Sequence, residues 1–211
     1  DHAPEKDIKV DMSWWISRST GSIQLNPLIP LEILYSQGHG AGVVGCTFQQ
    51  HHTDFSKFIY ESKPKTILEI GGGHGQLAEN YFQLMPDADW TIVEPNPSLP
   101  AGSKAHVVTG LFNNHFWRDS KVDVVIHSHV IEHMYDPFEF IAKLSNYLKE
   151  NGEMIFAVPH LSVWLSRNYT NAINFEHTVY LTEPYIEFLL QKTGFLVVEK
   201  SYFQTNHSIF Y

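Results

Sequence analysis

ILEIGGGHGQL, at residues 67–77, joins a short hydrophobic run to a helical pattern through alternating glycines. Gly71, Gly73 and Gly75 recur at every second position, and Glu69 precedes them at the same spacing. Glycine is favoured where the backbone adopts a positive φ or lets a ligand approach closely. The first N–H groups of the following helix have no partner within that helix and can face a ligand. The stretch therefore predicts a strand, a ligand-binding loop and a helix in succession.

Strands and helices alternate on both sides of this loop. The predicted strands are Thr66–Ile70, Trp90–Glu94, His106–Thr109, Val122–Ser128 and Glu153–Val158, the last after a turn at Asn151-Gly152. The predicted helices are 47–61, Gln76–Met85, Phe138–Leu148 and Glu183–Lys192, the last with Thr182 as its N-cap. Phe195–Phe203 and Ser208–Tyr211 are predicted to form a terminal antiparallel pair. This order predicts an α/β, Rossmann-like, mostly parallel sheet with helices on both faces.

The composition excludes several classes of protein. The 211 residues carry 14 Lys plus Arg against 23 Asp plus Glu, whereas nucleic-acid binding relies on clustered cations. A single Cys excludes an internal disulfide framework and a Cys-rich zinc module. No apolar run reaches the roughly 20 residues that span a bilayer. We predict a cytoplasmic protein that binds no nucleic acid and has no membrane span. The start at Asp1 and the end at IFY suggest a domain of a longer multidomain enzyme.

Glu94 ends the second predicted strand, 19 residues after Gly75. A carboxylate at this place can accept both ribose hydroxyls of a nucleoside, as in Rossmann-type crevices. The dinucleotide fingerprint G-x-G-x-x-G is met only in a variant form, through Gly73, Gly75 and Ala78. The pattern alone therefore leaves NAD open, but the E-x-G-x-G-x-G spacing that begins at Glu69 fits another cofactor better.

From about residue 64 to residue 211 the chain resembles the class I S-adenosylmethionine-dependent methyltransferases. The similar segments are LEIGGGHG, TIVEPN, VDVVIHSHVIEH and LKENGEMIFAVP. The resemblance implies S-adenosylmethionine as the cofactor, with the loop glycines under its methionine part, Glu94 on its ribose, and Asn96 and Phe112 beside its adenine. The predicted cofactor-binding residues are Glu69, Gly71, Gly73, Gly75, Glu94, Asn96, Phe112 and Ser128.

Five of the 13 histidines are predicted at the carboxyl edge of the sheet, where open α/β sheets bind ligands: His127, His129, His133, His160 and His177. A hydroxyl acceptor of a methyl group must lose its proton, and His is the usual base near neutral pH. Glu176 or Glu132 could orient such a base. The segments HVIEH and FEHTVYLT also resemble sugar C-methyltransferases that act on nucleotide-linked deoxysugars. That resemblance implies His177 as the base, Glu176 as the group that orients it, and His133 as the other candidate base.

The chain departs from this narrower family at three points. The family's Cys-rich zinc domain has no counterpart, Asn174 stands where a tyrosine is expected, and a Tyr-rich stretch is reduced to Tyr35. We therefore predict O-methylation of a hydroxyl on a sugar or glycan acceptor, with a His general base. A sugar C-methyltransferase and a non-catalytic, cofactor-binding scaffold domain are the alternatives.

Residues 1–60 are predicted to form an N-terminal arm and substrate cap, and residues 61–211 the methyltransferase domain. The cap and the 159–181 insertion are expected to hold the saccharide acceptor, because aromatic side chains can pack on sugar rings. The predicted substrate-binding residues are His129, His160, Trp164, Tyr180 and His52. Core packing is the alternative for Trp164, Tyr180 and His129, and a place in the cap without a role is the alternative for His52. No metal is predicted, because the histidines of VIHSHVIEH lack a supporting ligand set at a standard spacing.

Overall fold

The structure is a computed structural model that describes residues 5, 7–35, 45–113, 116 and 118–211. Its strands are β1 (Trp14–Ile16), β2 (Ile23–Leu25), β3 (Thr66–Ile70), β4 (Asp89–Glu94), β5 (His106–Thr109), β6 (Val122–Ser128), β7 (Leu148–Pro159), β8 (Val179–Tyr180), β9 (Ser201–Phe203) and β10 (Ser208–Phe210). Its α-helices are α1 (Leu31–Leu34), α2 (Cys46–Tyr60), α3 (Gln76–Leu84), α4 (Pro137–Ser145), α5 (Leu161–Ser166) and α6 (Glu183–Lys192). A short 3-10 helix, Ile131–His133, follows β6.

The central sheet has seven strands in the order β5-β4-β3-β6-β7-β10-β9. The first five run parallel, and β10 is antiparallel to both β7 and β9. The predicted α/β Rossmann-like class, with an antiparallel pair at its end, is confirmed. Because β3 and β6 are neighbours, the glycine loop and the HVIEH segment leave the sheet side by side.

Both faces of the sheet are covered, and successive residues of a strand enter different cores. Ile67 and Ile92 pack with apolar residues of α2 and α3. Leu68 and Val93 pack on the opposite face with apolar residues of α4 and α6. Parallel strands buried on two faces explain why their sequences read as continuous hydrophobic runs. The two cores fix the strand ends from which the site is built.

A second sheet, in the order β1-β2-β8, joins the N-terminal segment to the chain beyond β7. The Leu25 N–H donates to the Thr178 carbonyl oxygen at 2.9 Å, and the rings of Trp14 and Tyr180 have centroids 4.5 Å apart. The arm therefore packs on the region predicted to hold the acceptor. The domain boundary at residue 60 stays a prediction. Helix α2, which lies before that boundary, packs in the main core.

Three predicted boundaries are wrong. The helix predicted to reach Leu148 ends at Ser145, and β7 already begins at Leu148. The pair Asn151-Gly152 lies within β7, at an irregularity where the register with β6 shifts, instead of separating a helix from a strand. The strand predicted from Phe195 begins only at Ser201.

Two side chains also differ from expectation. Thr182 occupies the N-cap position of α6, but its hydroxyl makes no capping hydrogen bond there. On α2 the predicted substrate-binding residue His52 is partly exposed, whereas its neighbour His51, for which no role was predicted, is fully buried. No helix within the described ranges is long and apolar enough to cross a membrane.

Candidate functional site

The glycine loop between β3 and α3 is tight on one side and open on the other. Gly71 has φ +76, and its N–H donates to the Val93 carbonyl oxygen at 2.9 Å. A Cβ at Gly71 would lie 2.6 Å from Cγ2 of Val130, so only glycine fits against the segment that follows β6. Gly73 has φ +50, and no described atom lies within 4 Å of the place where its Cβ would be. The open side at Gly73 is where a ligand can approach the backbone.

Glu94 faces this open side from the end of β4. Its Oε2 accepts a hydrogen bond from the Gly73 N–H at 3.1 Å, and its Oε1 accepts one from the Asn96 N–H at 2.9 Å. A carboxylate has about four acceptor sites, so each oxygen keeps one for another donor. The residues present therefore fit the 1,2-diol of a nucleoside ribose, as the sequence predicts for Glu94.

Glu69 lies beneath the loop, with a side chain only 3% exposed. Its Oε2 accepts a hydrogen bond from the Trp90 indole at 2.8 Å. Burial raises the pKa of Glu69 to about 7, against the opposing effect of the indole hydrogen bond. A Cβ at Gly72 would meet this carboxylate at 2.8 Å, which shows how closely it supports the loop from below. Its predicted part in cofactor binding stays a prediction.

The other predicted cofactor residues have distinct surroundings. The Asn96 side-chain amide donates to the Tyr35 carbonyl oxygen at 3.0 Å. Phe112 packs in the core with its ring 5.2 Å from that of Phe116, and Lys143 Nζ lies 4.7 Å from its centroid. Ser128 is the last residue of β6, beside the point where the glycine loop leaves β3. Contact of these residues with adenine or methionine stays a prediction.

Three titratable side chains meet just beyond β6. Glu132, His133 and His177 each place a ligand atom within 4.8 Å of the others. The rings of His133 and His177 have centroids 5.0 Å apart, and His133 Nε2 lies 4.0 Å from Glu132 Oε1. The fold thus brings the two predicted bases together. It adds the buried Glu132, which the sequence offered beside Glu176 as a group that could orient the base.

The charges in this cluster favour an ionised carboxylate beside a neutral imidazole. Burial alone would raise the pKa of Glu132, but His129, His133 and His177 outweigh it and lower that pKa to about 2. Burial lowers the pKa of His133, against the opposing effect of Glu132. A neutral imidazole can accept a proton, and the nearby anion stabilises the imidazolium that results.

Tyr35 connects the cluster with the glycine-loop side of the crevice. Its hydroxyl lies 3.3 Å from His133 Nδ1, and its carbonyl oxygen accepts the hydrogen bond from Asn96. Burial and then the charge of Glu176 raise the pKa of the Tyr35 hydroxyl, which keeps it neutral. Tyr35 was noticed in the sequence only as the remnant of a tyrosine-rich stretch. Its position amid glycines was the sole hint of a role.

Asn174 and Thr178 hold the predicted Glu176-His177 pair. Asn174 Oδ1 accepts hydrogen bonds from the N–H groups of Glu176 at 2.9 Å and of His177 at 2.8 Å. The Thr178 N–H donates to the Glu132 carbonyl oxygen at 2.9 Å, which ties the two histidine-bearing segments to each other. Asn174, where the resemblance leads one to expect tyrosine, therefore orders the turn that carries the predicted base.

The predicted substrate-binding residues do not form one patch. His160 Nε2 lies 3.6 Å from Glu183 Oε1, and the Trp164 indole donates to the Asn206 carbonyl oxygen at 2.6 Å. Tyr180 packs on Trp14 and is 8% exposed. The remaining two, His129 and His52, both contact His51 through their rings, with centroids 5.3 and 5.5 Å away. Substrate contact by these five side chains stays a prediction.

Comparison with protein families and curated proteins gives one family and one relative. The family described as "Methyltransferase domain" matches residues 48–200. A protein of Mycolicibacterium smegmatis, named as a probable S-adenosylmethionine-dependent methyltransferase, is 24% identical over 156 residues, which make up 71% of this chain. The chain spans 59% of the length of that relative.

Similar solved structures share the fold. The plantazolicin methyltransferase BpumL, in complex with a monoazolic desmethylPZN analog and SAH, has a TM-score of 0.55 at 21% identity, over 69% of this chain and 62% of its own. An O-methyltransferase family protein from Burkholderia thailandensis has a TM-score of 0.62 at 14% identity, over 77% and 55%. Human N-acetylserotonin methyltransferase, in complex with SAM, has a TM-score of 0.58 at 14% identity, over 88% and 62%.

Proposed function

The chain belongs to the methyltransferase-domain family, and from this premise we propose that it O-methylates a hydroxyl of a sugar or glycan acceptor. The family and the curated relative confirm the predicted class, an S-adenosylmethionine-dependent methyltransferase domain. The acceptor and the base belong to the proposal. The observation that carries it is the cluster of Glu132, His133 and His177 beside the glycine loop.

The residues at the loop suit the donor. S-adenosylmethionine supplies a methyl group on a positively charged sulfur. Glu94 has an acceptor site left on each oxygen for the ribose, and the open side of Gly73 leaves room along the backbone. Both groups belong to rigid elements, since Glu94 ends a buried strand and the loop is fixed against Val130.

The base in this proposal is His177, with His133 as its partner. His177 is partly exposed, whereas His133 is held by Tyr35 on Nδ1 and lies close to Glu132 on Nε2. A hydroxyl proton would pass to a ring nitrogen of His177, and an oxygen electron pair would form the new O–C bond. The bond between the methyl carbon and the donor sulfur would break, and its electron pair would remain on the sulfur, which becomes a neutral thioether. Glu176 orients the base through the turn that both residues share, and Glu132 stabilises the positive charge that develops.

The acceptor is proposed to lie between the N-terminal arm and the 159–181 insertion. The second sheet joins these two segments beside the cluster, and aromatic side chains such as Trp164 border them. An acidic chain with 3 Arg does not favour a pyrophosphate-bearing substrate, so a saccharide without a nucleotide suits it better. The cytoplasm, where a single free Cys stays reduced, is the proposed location.

The test compares His177→Gln with His106→Gln, whose exposed side chain sits at the amino end of β5. Binding of S-adenosylhomocysteine is measured by calorimetry, and transfer of labelled methyl to a saccharide panel by scintillation counting. We expect His177→Gln to keep its affinity and to lose about 10²- to 10⁴-fold in turnover. Equal loss of binding and turnover would mean that His177 only supports the fold.

The product distinguishes the alternatives. A methyl carbon bonded to oxygen, seen by NMR in the product, supports O-methylation. A methyl group on carbon that survives alkali would instead assign the chain to the sugar C-methyltransferases. Tight S-adenosylhomocysteine binding without transfer to any sugar, peptide or small-molecule acceptor would favour the scaffold alternative.

A further inference from the structure

Three histidines from distant parts of the chain form a second cluster, on the side of β6 that faces α2. His51 comes from α2, His129 follows β6, and His207 ends the turn between β9 and β10. Each offers a ring nitrogen within 4.8 Å of the others. We propose that His51, His129 and His207 bind one Zn²⁺ ion, with a hydroxyl or water oxygen as the fourth ligand.

The ring positions suit a tetrahedral ion. The His51 centroid lies 5.3 Å from that of His129 and 5.4 Å from that of His207, and the other two are 6.1 Å apart. Zinc–nitrogen bonds of about 2.0–2.1 Å at tetrahedral angles would place ring centroids about 5 Å apart. A small rotation of His207, which lies in a turn and is half-buried, closes the remaining gap.

Two of the rings already face a common point. His129 Nε2 lies 3.1 Å from Ser208 Oγ, and His207 Nδ1 lies 2.6 Å from the same oxygen. Ser208 is fully buried, so this point is shielded from bulk water. The Ser208 hydroxyl is accordingly placed where the fourth ligand, or a water bonded to it, would lie.

His51 supplies an independent observation. Its side chain is fully buried, and neither ring nitrogen has a hydrogen-bond partner among the described atoms. An unsatisfied buried polar group costs about 1–3 kcal/mol, so its presence here calls for a partner. Phe203 and Phe210 surround it, with ring centroids 5.3 and 5.2 Å away. A metal bond would satisfy one of these two ring nitrogens.

His129 carries the features of a metal ligand that is oriented by its surroundings. It has φ +55, an uncommon conformation for a residue other than glycine and one that often marks functional sites. Its Nδ1 lies 3.4 Å from Glu132 Oε1, which leaves Nε2 for the ion. A carboxylate on the second nitrogen of a ligating histidine fixes the ring and raises its basicity.

The ion would join three elements that are far apart in the sequence. These are α2 at the beginning of the described core, the end of β6 in the middle, and the β9–β10 turn near the end of the chain. The three residues carry no recognisable pattern in the sequence, because they are separated by 78 positions each, from residue 51 to 129 and from 129 to 207. Only the fold brings them together.

The test uses the full chain, freed of metal by a chelator, and zinc chloride alone as the probe. Bound zinc is counted by mass spectrometry after gel filtration, and Co²⁺ is added in parallel because a tetrahedral site gives it visible absorption bands. The variants are His51→Gln, His207→Gln, and Glu132→Gln. His106→Gln is the matched control, and His177→Gln tests the neighbouring cluster.

We expect one equivalent of zinc and a tetrahedral cobalt spectrum in the wild type and in His106→Gln and His177→Gln. His51→Gln and His207→Gln should each lose the spectrum and the stoichiometric zinc, and Glu132→Gln should weaken binding about 10- to 100-fold. If His51→Gln does not fold, His207→Gln decides alone, since its side chain lies in a half-buried turn.

Two results would overturn the proposal. Unchanged zinc content in both His51→Gln and His207→Gln would show that the three rings are packed core side chains. Loss of zinc in His177→Gln alone would place the ion at Glu132, His133 and His177 instead. Neither result depends on methyl transfer, so the zinc site and the proposed function stand or fall separately.

Discussion

Replacing Glu94 by Gln should weaken cofactor binding while leaving the protein folded. The carboxylate accepts hydrogen bonds from the N–H groups of Gly73 and Asn96, and one acceptor site on each oxygen remains for a ribose diol. Gln has a single acceptor oxygen. In either orientation of its amide, the NH₂ group therefore faces the N–H group of Gly73 or that of Asn96. The variant therefore loses one contact to the loop and one to the ribose.

The expected loss of affinity follows from the strength of hydrogen bonds to a charged carboxylate. A hydrogen bond to a charged group contributes about 1.5–3 kcal/mol, and about 1.4 kcal/mol corresponds to a tenfold change in affinity. Loss of the ribose contact alone therefore predicts S-adenosylhomocysteine binding that is about ten- to a hundredfold weaker. Folding should suffer less, by about 1 kcal/mol, because Glu94 is partly exposed and water can reach the freed N–H group.

The assay is calorimetric titration with S-adenosylhomocysteine, together with urea unfolding of the same samples. Glu61→Gln is the matched control, since it makes the same chemical change at an exposed site at the end of α2. It should leave both measurements unchanged. Unaltered affinity in Glu94→Gln, with a lower unfolding midpoint, would refute the reasoning, because Glu94 would then only brace the loop.

Three further predictions concern the loop and the buried titratable groups. Gly71→Ala should cost about 2–3 kcal/mol of stability in urea unfolding because its Cβ meets Val130 at 2.6 Å, whereas Gly73→Ala should chiefly weaken S-adenosylhomocysteine binding. Burial raises the pKa of Glu69 from 4.5 to about 7, so the free energy of unfolding of the wild type falls as pH rises through that range. Glu69→Gln should therefore unfold with a free energy about 1–3 kcal/mol higher than the wild type at about pH 8, and with little difference at about pH 5. Burial lowers the pKa of His127 from 6.5 to about 3, so stability should fall below pH 6.5 by about 1.4 kcal/mol per unit, and His127→Phe should remove that part of the slope.

The central sheet could be predicted because its information is local. The strand Thr66–Ile70 and the run Val122–Ser128 are buried on both faces, so hydrophobicity alone marks their positions and limits. The second sheet could not be predicted, since three-residue strands such as Trp14–Ile16 carry no readable pattern. Their pairing is decided by packing between residues far apart in the chain.

The same contrast between local and long-range information applies to the residues of the candidate site. The position of Glu94 beside the loop could be predicted, because it follows the loop at a fixed interval along consecutive elements, while its contact with ribose stays a prediction. Tyr35 could not be assigned a role, because its hydroxyl reaches His133 across 98 positions. Glu132 could be named only as an alternative to Glu176, because its burial among histidines is created by the fold.

The charge of the site explains why an acidic chain suits this donor better than a dinucleotide. Three carboxylates act on the Tyr35 hydroxyl and help burial to raise its pKa: Glu176 first, then Glu132 and Glu94. A crevice bordered by these anions attracts a sulfonium cation and repels a pyrophosphate, which is doubly negative. The same field would disfavour a nucleotide-linked acceptor, which agrees with the proposed neutral saccharide. Three of the acidic residues, whose surplus first served only to exclude nucleic acid, therefore border the crevice where a cationic donor would bind.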